Sequence, residues 1–338
     1  MPRMTKPARD SALGEASADS DSLVGWYGTL GRAIRLGLAV RPRKQRRETI
    51  PAWLLLAPAV IVLIAMTLAA GIYVFWVSFY RIGSFGSGNQ FVGWSNFSAA
   101  VSTYNFVPDL VRTLGYVVVA VGIELVAGTL LGVALARNVW GNRAAAALLV
   151  IPFAATPAVS ALVFGALLNP NYGWIDYYLR LVGVTQPIDW LSSSPTAWTA
   201  LVSMDVWEWT PFVALIVLAG LQSLRTDVVE AARVDGASAL KTFRYVTLPM
   251  LKPFLAVAAV LRVIQAFKTF DIFLILTNGG PGSSTESVNL QIYRLVMQDF
   301  NIGQGAAIAV MLLVLLLMLT PLLLRTIGRY AEHERGVS

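Results

Sequence analysis

The chain contains no cysteine and a single histidine, His333, in a polar tail. The first absence excludes disulfide frameworks, thiolate zinc sites and cysteine nucleophiles; the second leaves little room for imidazole chemistry. Charge is scarce as well. Only 13% of the 338 residues are charged, while 56% are hydrophobic and the mean hydropathy is positive; a soluble domain carries about 25% charged residues. No Gly-x-x-x-x-Gly-Lys-Ser/Thr occurs, so the chain has no phosphate-cradling P-loop. A net charge of +7 suits the topology-setting loops of a membrane protein, and no nucleic-acid partner is expected.

What is present is a series of long apolar runs. No charged residue lies between Glu48 and Arg81, which is ample for a crossing helix of about 20 residues. Spans are expected at 53–78, 113–136, 144–168, 197–220, 254–277 and 304–324. The chain is thus read as an all-α polytopic membrane protein with six transmembrane helices and both termini on one side. Basic residues say which side. Arg41, Arg43, Lys44, Arg46, Arg47, Arg137, Arg143, Arg225, Arg233, Lys241, Arg244, Lys252, Arg325, Arg329 and Arg335 put fifteen on one face, whereas Arg81, Arg112, Arg180 and Arg294 put four on the other. Positive loops stay cytoplasmic, so the N and C termini are expected in the cytoplasm.

The chain divides into a basic N-terminal extension over 1–50, a transmembrane domain over 51–330 and a tail over 331–338. No apolar core follows the first few residues, so a cleavable signal peptide is not expected. Trp26, Leu30, Ile34 and Leu38 recur at i+4, with Arg32 and Arg35 off that stripe. The pattern fits either an interfacial helix over 23–40 or an unstructured tail. The outer loops, 81–112, 169–196 and 278–303, are rich in Gly, Asn, Ser, Trp and Tyr. Trp94, Trp174 and Trp190 are expected near the headgroups of membrane lipid, where amphipathic rings prefer to lie.

One polar insert interrupts the second half, Glu230–Pro253, reading EAARVDGASALKTFRYVTLPMLKP. Asp227 and Glu230, three apart, form the acidic version of a capping box and open a helix through Val228–Asp235. Gly236 supplies a left-handed turn. Ser238 caps a second helix in which Leu240, Phe243 and Val246 or Thr247 repeat at helical spacing, and Pro249 and Pro253 stop it before the fifth span. Two short amphipathic helices on the cytosolic face fit a docking surface for a partner, or an interfacial hairpin that merely joins two spans.

Glu230-Ala231-Ala232, then Gly236, then Val246-Thr247-Leu248-Pro249 resembles the EAA loop of ABC-importer permeases, with Val where Ile is usual. Other segments agree: Phe91-Val-Gly-Trp-Ser-Asn-Phe97, Pro187-Ile-Asp-Trp-Leu191, Leu218-Ala-Gly-Leu-Gln222 and Thr277-Asn-Gly-Gly-Pro-Gly282. Together they resemble the maltose-type (MalF/UgpA-like) subunit of binding-protein-dependent carbohydrate importers over roughly residues 50–330. The resemblance implies the six-helix ABC type I importer fold in a bacterial or archaeal plasma membrane. It further implies a second permease subunit of the MalG type, two ATP-binding subunits or an ATPase dimer, and an extracytoplasmic solute-binding protein. This chain would bind no cofactor and would not be an enzyme; ATP and Mg would sit on the ATPase. The loop over 225–253 would be the coupling element, with Glu230, Ala231, Ala232, Asp235, Gly236, Leu248 and Pro249 as its key positions.

Ionisable residues at membrane depth are costly unless paired or facing water. Here they are Glu124, Asp205, Glu208, Arg262, Lys268 and Asp271. Lys268 and Asp271, three apart, read as a local ion pair. Glu124 reads as an interhelical pairing group, in a span whose Gly128-Thr-Leu-Leu-Gly132 forms a small-residue packing face. The resemblance places the family's sugar site at Glu208, Trp209 and Phe212 on the fourth span and at Arg262, Ala266 and Thr269 on the fifth. Charged groups bind hydroxyls through charge-assisted bonds, and Trp209 or Phe212 would cover an apolar sugar face. The alternatives are a Glu208–Arg262 salt bridge without substrate contact, or an anionic cargo drawn by Arg262. Other functions open to the sequence are import of a polyamine, glycerol phosphate or another small solute, and a non-transport membrane scaffold.

Overall fold

The structure is a computed structural model that describes residues 49–83, 88–136, 141–184, 186–224 and 226–335. The N-terminal extension through residue 48, with the helix expected at 23–40, lies outside the described residues, as do Arg137, Arg225 and 336–338. By internal contacts the chain falls into two units, Met1–Leu68 and Ala69–Ser338. The first contains, among the described residues, only the first helix as far as Leu68; the packed core belongs to the second.

The elements run α1 (Thr49–Val77), β1 (Tyr80–Arg81), β2 (Gln90–Phe91), α2 (Ser95–Ser102), α3 (Phe106–Leu135), α4 (Asn142–Leu148), α5 (Val150–Ala154), α6 (Pro157–Leu167), α7 (Trp174–Leu181), α8 (Ser194–Ser223), α9 (Thr226–Val234), α10 (Ala239–Thr242), α11 (Leu248–Lys268), α12 (Val288–Tyr293) and α13 (Ile302–Arg335). Wide π-helical turns occupy Phe243–Thr247, Phe273–Thr277 and Arg294–Gln298. Among the described residues, five helical runs are long and apolar enough to cross a membrane: Leu56–Val77, Phe106–Leu135, Ser194–Ser223, Ala239–Lys268 and Ile302–Leu322. The pair Ala144–Ala154 and Pro157–Leu167, bent by 96°, supplies a sixth crossing if counted as one span.

That bend departs from the single helix expected over 144–168. Ala155 and Thr156 are both extended, with ψ of 147° and 135°. Pro157 is the cause: it disfavours α conformation in the residue before it and has no N–H for the carbonyl four residues back. Proline acts differently at the fifth span, where the expected stop at Pro249 and Pro253 does not occur. The helix runs from Ala239 to Lys268. Pro249 sits in the first turn of α11, directly after a π turn in which the Leu248 N–H reaches back to the Phe243 carbonyl. The wider turn resets the hydrogen-bond ladder where a donor is missing. At its other end the helix stops short of the expected 277. Thr269 is extended, and Asn289 Nδ2 donates to the Phe267 and Thr269 carbonyls at 2.7 and 3.3 Å, satisfying acceptors that a helix end leaves open.

Two of the segments between the long helices are tied down by single polar side chains. Asn96 donates from Nδ2 to the Ser78 and Tyr80 carbonyls at 2.8 and 3.0 Å, fixing the Phe91–Phe97 segment. Buried Asp176 on α7 accepts from the Ile188 N–H and from Trp190 Nε1, both at 3.1 Å. Trp190 is therefore half-buried and held inward, whereas Trp94 and Trp174 are exposed.

The core is built on α3 and α8. Tyr116, Val117 and Ala120 of α3 share a buried cluster with Leu201 and Met204 of α8, Phe267 and Phe273 after them, and Ile308 of α13. Toward the other end, Gly128 and Gly132 let the backbones touch. A Cβ on Gly128 would lie 2.6 Å from Val213 Cβ, and one on Gly132 would lie 2.8 Å from the Ala214 carbonyl oxygen. The small-residue face read from the sequence is thus a direct helix–helix contact. Gly128→Leu is expected to lower the thermal unfolding midpoint of the detergent-purified chain, at a cost of about 1–3 kcal/mol. Gly122→Leu, where an added Cβ meets open space, should leave it unchanged. Equal midpoints for the two variants would remove the close-packing role.

Candidate functional site

The first candidate site is a buried ionic cluster where α3, α8 and α11 meet. Glu124 lies on the buried stripe of α3 that includes Tyr116, Ala120 and Gly128. Asp205 and Glu208 are buried on α8, and Arg262 is buried on α11. Arg262 is 0% exposed. Its Nε and Nη2 donate to the two oxygens of Glu124 at 2.5 and 2.7 Å, and Nη2 also donates to Asp205 Oδ2 at 2.8 Å. A bidentate bond to one carboxylate plus a second carboxylate is the arrangement that makes burial of a guanidinium tolerable. Its Cζ also lies 4.3 Å from the centroid of the Trp209 ring, close enough for a cation–π contact. The Tyr116 hydroxyl is a neighbour of Asp205.

Glu208 is not part of this bonding. The sequence left open a Glu208–Arg262 salt bridge; Arg262 is instead taken by Glu124 and Asp205. Glu208 is 2% exposed, makes no salt bridge or hydrogen bond among the described residues, and lies within electrostatic reach of Asp205, Arg262 and Asp271. The site therefore holds three carboxyl groups to one guanidinium.

The other positions drawn from the family separate. Trp209 and Phe212 stay together, with ring centroids 5.9 Å apart. Both meet Phe153, which is edge-on to Trp209 at 5.4 Å and stacked on Phe212 at 5.3 Å. Phe153 was not singled out from sequence; its signal is its place between Pro152 and Pro157, where the third span breaks. Ala266 is buried in the core cluster rather than beside these rings. Thr269 follows the end of α11 and donates from its hydroxyl to the Gln265 carbonyl at 3.3 Å. The expected Lys268–Asp271 pair does not form among the described residues, because Thr269 leaves the helix and breaks the i,i+3 geometry. No group of three or more His, Asp or Glu among the described residues is arranged to hold a metal ion.

The second candidate site is the loop between α8 and α11. α9 begins two residues earlier than the capping-box reading, at Thr226, so Asp227 lies inside its first turn; there it complements the helix dipole. The helix ends in a Schellman motif: the Gly236 N–H donates to the Arg233 carbonyl and the Ala237 N–H to the Ala232 carbonyl, at 3.1 and 3.0 Å. Gly236 has φ of +78°, a left-handed value that glycine adopts without penalty. Ser238 caps α10, its hydroxyl accepting from the Lys241 N–H at 3.4 Å. Glu230, Ala231 and Asp235 are exposed, Ala232, Leu248 and Pro249 half-buried. Val234, Leu240 and Tyr245, however, are 87%, 74% and 70% exposed. So much uncovered apolar surface beside a rigid turn has the composition of a docking site.

Comparison with known proteins agrees with this architecture. Residues 125–328 match the family model described as binding-protein-dependent transport system inner membrane component. The trehalose/maltose transport system permease protein MalF of Thermococcus litoralis is 35% identical over 287 residues, covering 84% of this chain and 95% of that protein. The sn-glycerol-3-phosphate transport system permease protein UgpA of Agrobacterium fabrum is 29% identical, covering 83% and 96%. Among solved structures, a chain of a bacterial alginate ABC transporter, in complex with an alginate pentasaccharide-bound periplasmic protein, superposes with a TM-score of 0.72. It shares 19% identity and covers 84% of this chain and 96% of that one, a likeness of fold.

The ionic cluster has a direct stability test. Arg262→Met leaves Glu124 and Asp205 buried without their cation and is expected to cost about 3–5 kcal/mol, read as a loss of folded protein on heating in detergent. Adding Glu124→Gln and Asp205→Asn to that variant should restore most of it. Full stability of Arg262→Met alone would show that the pairing does not hold the helices.

Proposed function

The chain belongs to the family of binding-protein-dependent transport system inner membrane components, and from that membership we propose that it is a transmembrane subunit of an ATP-driven importer carrying a neutral carbohydrate. In this reading it is a multi-pass protein of the plasma membrane, with both termini in the cytoplasm. It assembles with a second, MalG-like permease, two ATP-binding subunits or an ATPase dimer, and an extracytoplasmic solute-binding protein. It is a transport subunit and not an enzyme: ATP and Mg belong to the ATPase, and this chain binds no cofactor of its own.

The observation that carries the carbohydrate reading is the pairing of Arg262. A guanidinium held by two carboxylates has little charge left for an anion, and uncommitted Glu208 beside it disfavours one. That speaks against glycerol phosphate, the cargo in the name of one relative. Sugar hydroxyls, by contrast, donate well to a free carboxylate, and the half-buried ring of Trp209, backed by Phe153 and Phe212, offers an apolar face for the ring of a sugar.

Coupling follows from the helix that joins the two sites. The run Ala239–Lys268 places Arg262 about 35 Å along one helix from the loop. ATPase subunits gripping Glu230–Asp235 and the exposed Val234, Leu240 and Tyr245 would push this rod end-on. The stroke reaches the cluster through Arg262, and α3 and α8 respond together because both are bonded to it. Gly236 sets the angle between α9 and the rod.

Gly236→Pro replaces φ of +78° with one near −65°. It is expected to abolish substrate-stimulated ATP hydrolysis by the assembled transporter, while hydrolysis by the free ATPase is unchanged. Intact transport in this variant would refute the hinge. In uptake assays Glu208→Ala should raise the half-saturating concentration of maltose or trehalose by about tenfold, equivalent to about 1.4 kcal/mol. Stimulation by sn-glycerol 3-phosphate, with neither sugar active, would overturn the neutral-carbohydrate reading.

A further inference from the structure

A second concavity lies away from the ionic cluster, on the segment between the third and fourth spans. It encloses about 390 Å³ and is lined by Asn171, Tyr172, Trp174, Tyr177, Tyr178 and Arg180. We propose that this cleft is an outer carbohydrate-binding subsite, which takes a sugar ring before it reaches the membrane-depth site; the proposal rests on the importer reading above.

Composition is the first ground. Four of the nine lining residues are Tyr or Trp, and each of the four is more than half exposed. Large rings left uncovered, each with a hydroxyl or an indole N–H, match the mixed surface of a sugar: an apolar C–H face against the ring and hydroxyls at its edge. Asn171 and Arg180 bring an amide and a guanidinium to the same space, and Arg180 makes no ion pair among the described residues. The contrast with the preceding helix is sharp. There the exposed side chains are Val159, Leu162 and Val163, aliphatic groups suited to acyl chains and carrying no polar handle.

The second ground is that the cleft is built rather than open by accident. Its floor is Asp176, which is buried and already bonded to the Ile188 N–H and Trp190 Nε1. That bond anchors α7 to the 188–190 segment, whose Trp190 packs on the core cluster. The wall at 169–173 is closed by the Gly173 N–H, which donates to the Asn169 carbonyl at 2.7 Å. The Asn171 N–H donates to Asn169 Oδ1 at 2.9 Å. A site whose backbone is set before the ligand arrives binds without the cost of ordering a loop.

The test uses the full-length chain in lipid nanodiscs, with maltose and trehalose as probes and saturation-transfer NMR as readout. In wild type both sugars are expected to receive saturation. Trp174→Ala combined with Tyr177→Ser should weaken apparent binding by about tenfold, and conservative Trp174→Phe should keep most of it. Trp209→Ala, in the deeper site, should leave the outer signal in place. Unchanged binding in the Trp174/Tyr177 variant, or loss confined to Trp209→Ala, overturns the proposal. So does strong quenching of the Trp174 fluorescence component by lipids brominated on their acyl chains, which would make the ring a lipid anchor. Sugar uptake by the wild-type assembled transporter is measured alongside. Uptake without an outer signal sinks this subsite alone, and absence of uptake sinks the carbohydrate reading itself.

Discussion

Arg262 is fully buried, and a guanidinium in that position stays charged and bonded only if carboxylates take the place of its solvent. Glu124 and Asp205 do so from two different helices. The consequence is that α3, α8 and α11 cannot separate at this level without exposing an unpaired charge to hydrocarbon. Below it, α3 and α8 are locked backbone to backbone at Gly128 and Gly132. The two helices are held as one body, and α11 is tied to both through Arg262.

Much of the architecture was legible in the sequence, because the signals concerned are local or additive. Uncharged runs marked the crossing helices, and the spacing from Glu230 to Pro249 identified the loop that joins the fourth and fifth. Gly236 and Ser238 specify their turn and cap through their own backbone preferences, and the structure has both. What was not legible depends on partners far along the chain. Arg262 is 138 residues from Glu124 and 57 from Asp205, and nothing in the intervening sequence states that Glu208, nearer on the same helix face, would be left aside. Proline was ambiguous for a related reason. Pro157 breaks its span, whereas Pro249 is absorbed by a π turn that forms in the preceding residues. Identical local chemistry has two outcomes, set by whether the neighbouring backbone has a place to send its carbonyls.

The two aromatic sites differ in a way that bears on transport. At membrane depth Trp209 is engaged on several sides, by Arg262, Phe153 and Phe212. A ligand there must displace or rearrange existing contacts. In the cleft proposed as the outer subsite Tyr172 and Trp174 are largely uncovered, so a ligand would have few existing contacts to displace. In the proposed order of binding, a weak, pre-formed outer position precedes a tighter, occluded one.

The 96° break in the third span has a consequence for the bilayer itself. Each half, Ala144–Ala154 and Pro157–Leu167, rises about 16 Å along its own axis. Placed end to end at that angle, the two reach only about 22 Å, against a hydrocarbon thickness of about 30 Å. Counted as one span, the pair is therefore shorter than the hydrocarbon it would cross, a mismatch of the kind a bilayer meets by thinning beside a short segment at modest cost.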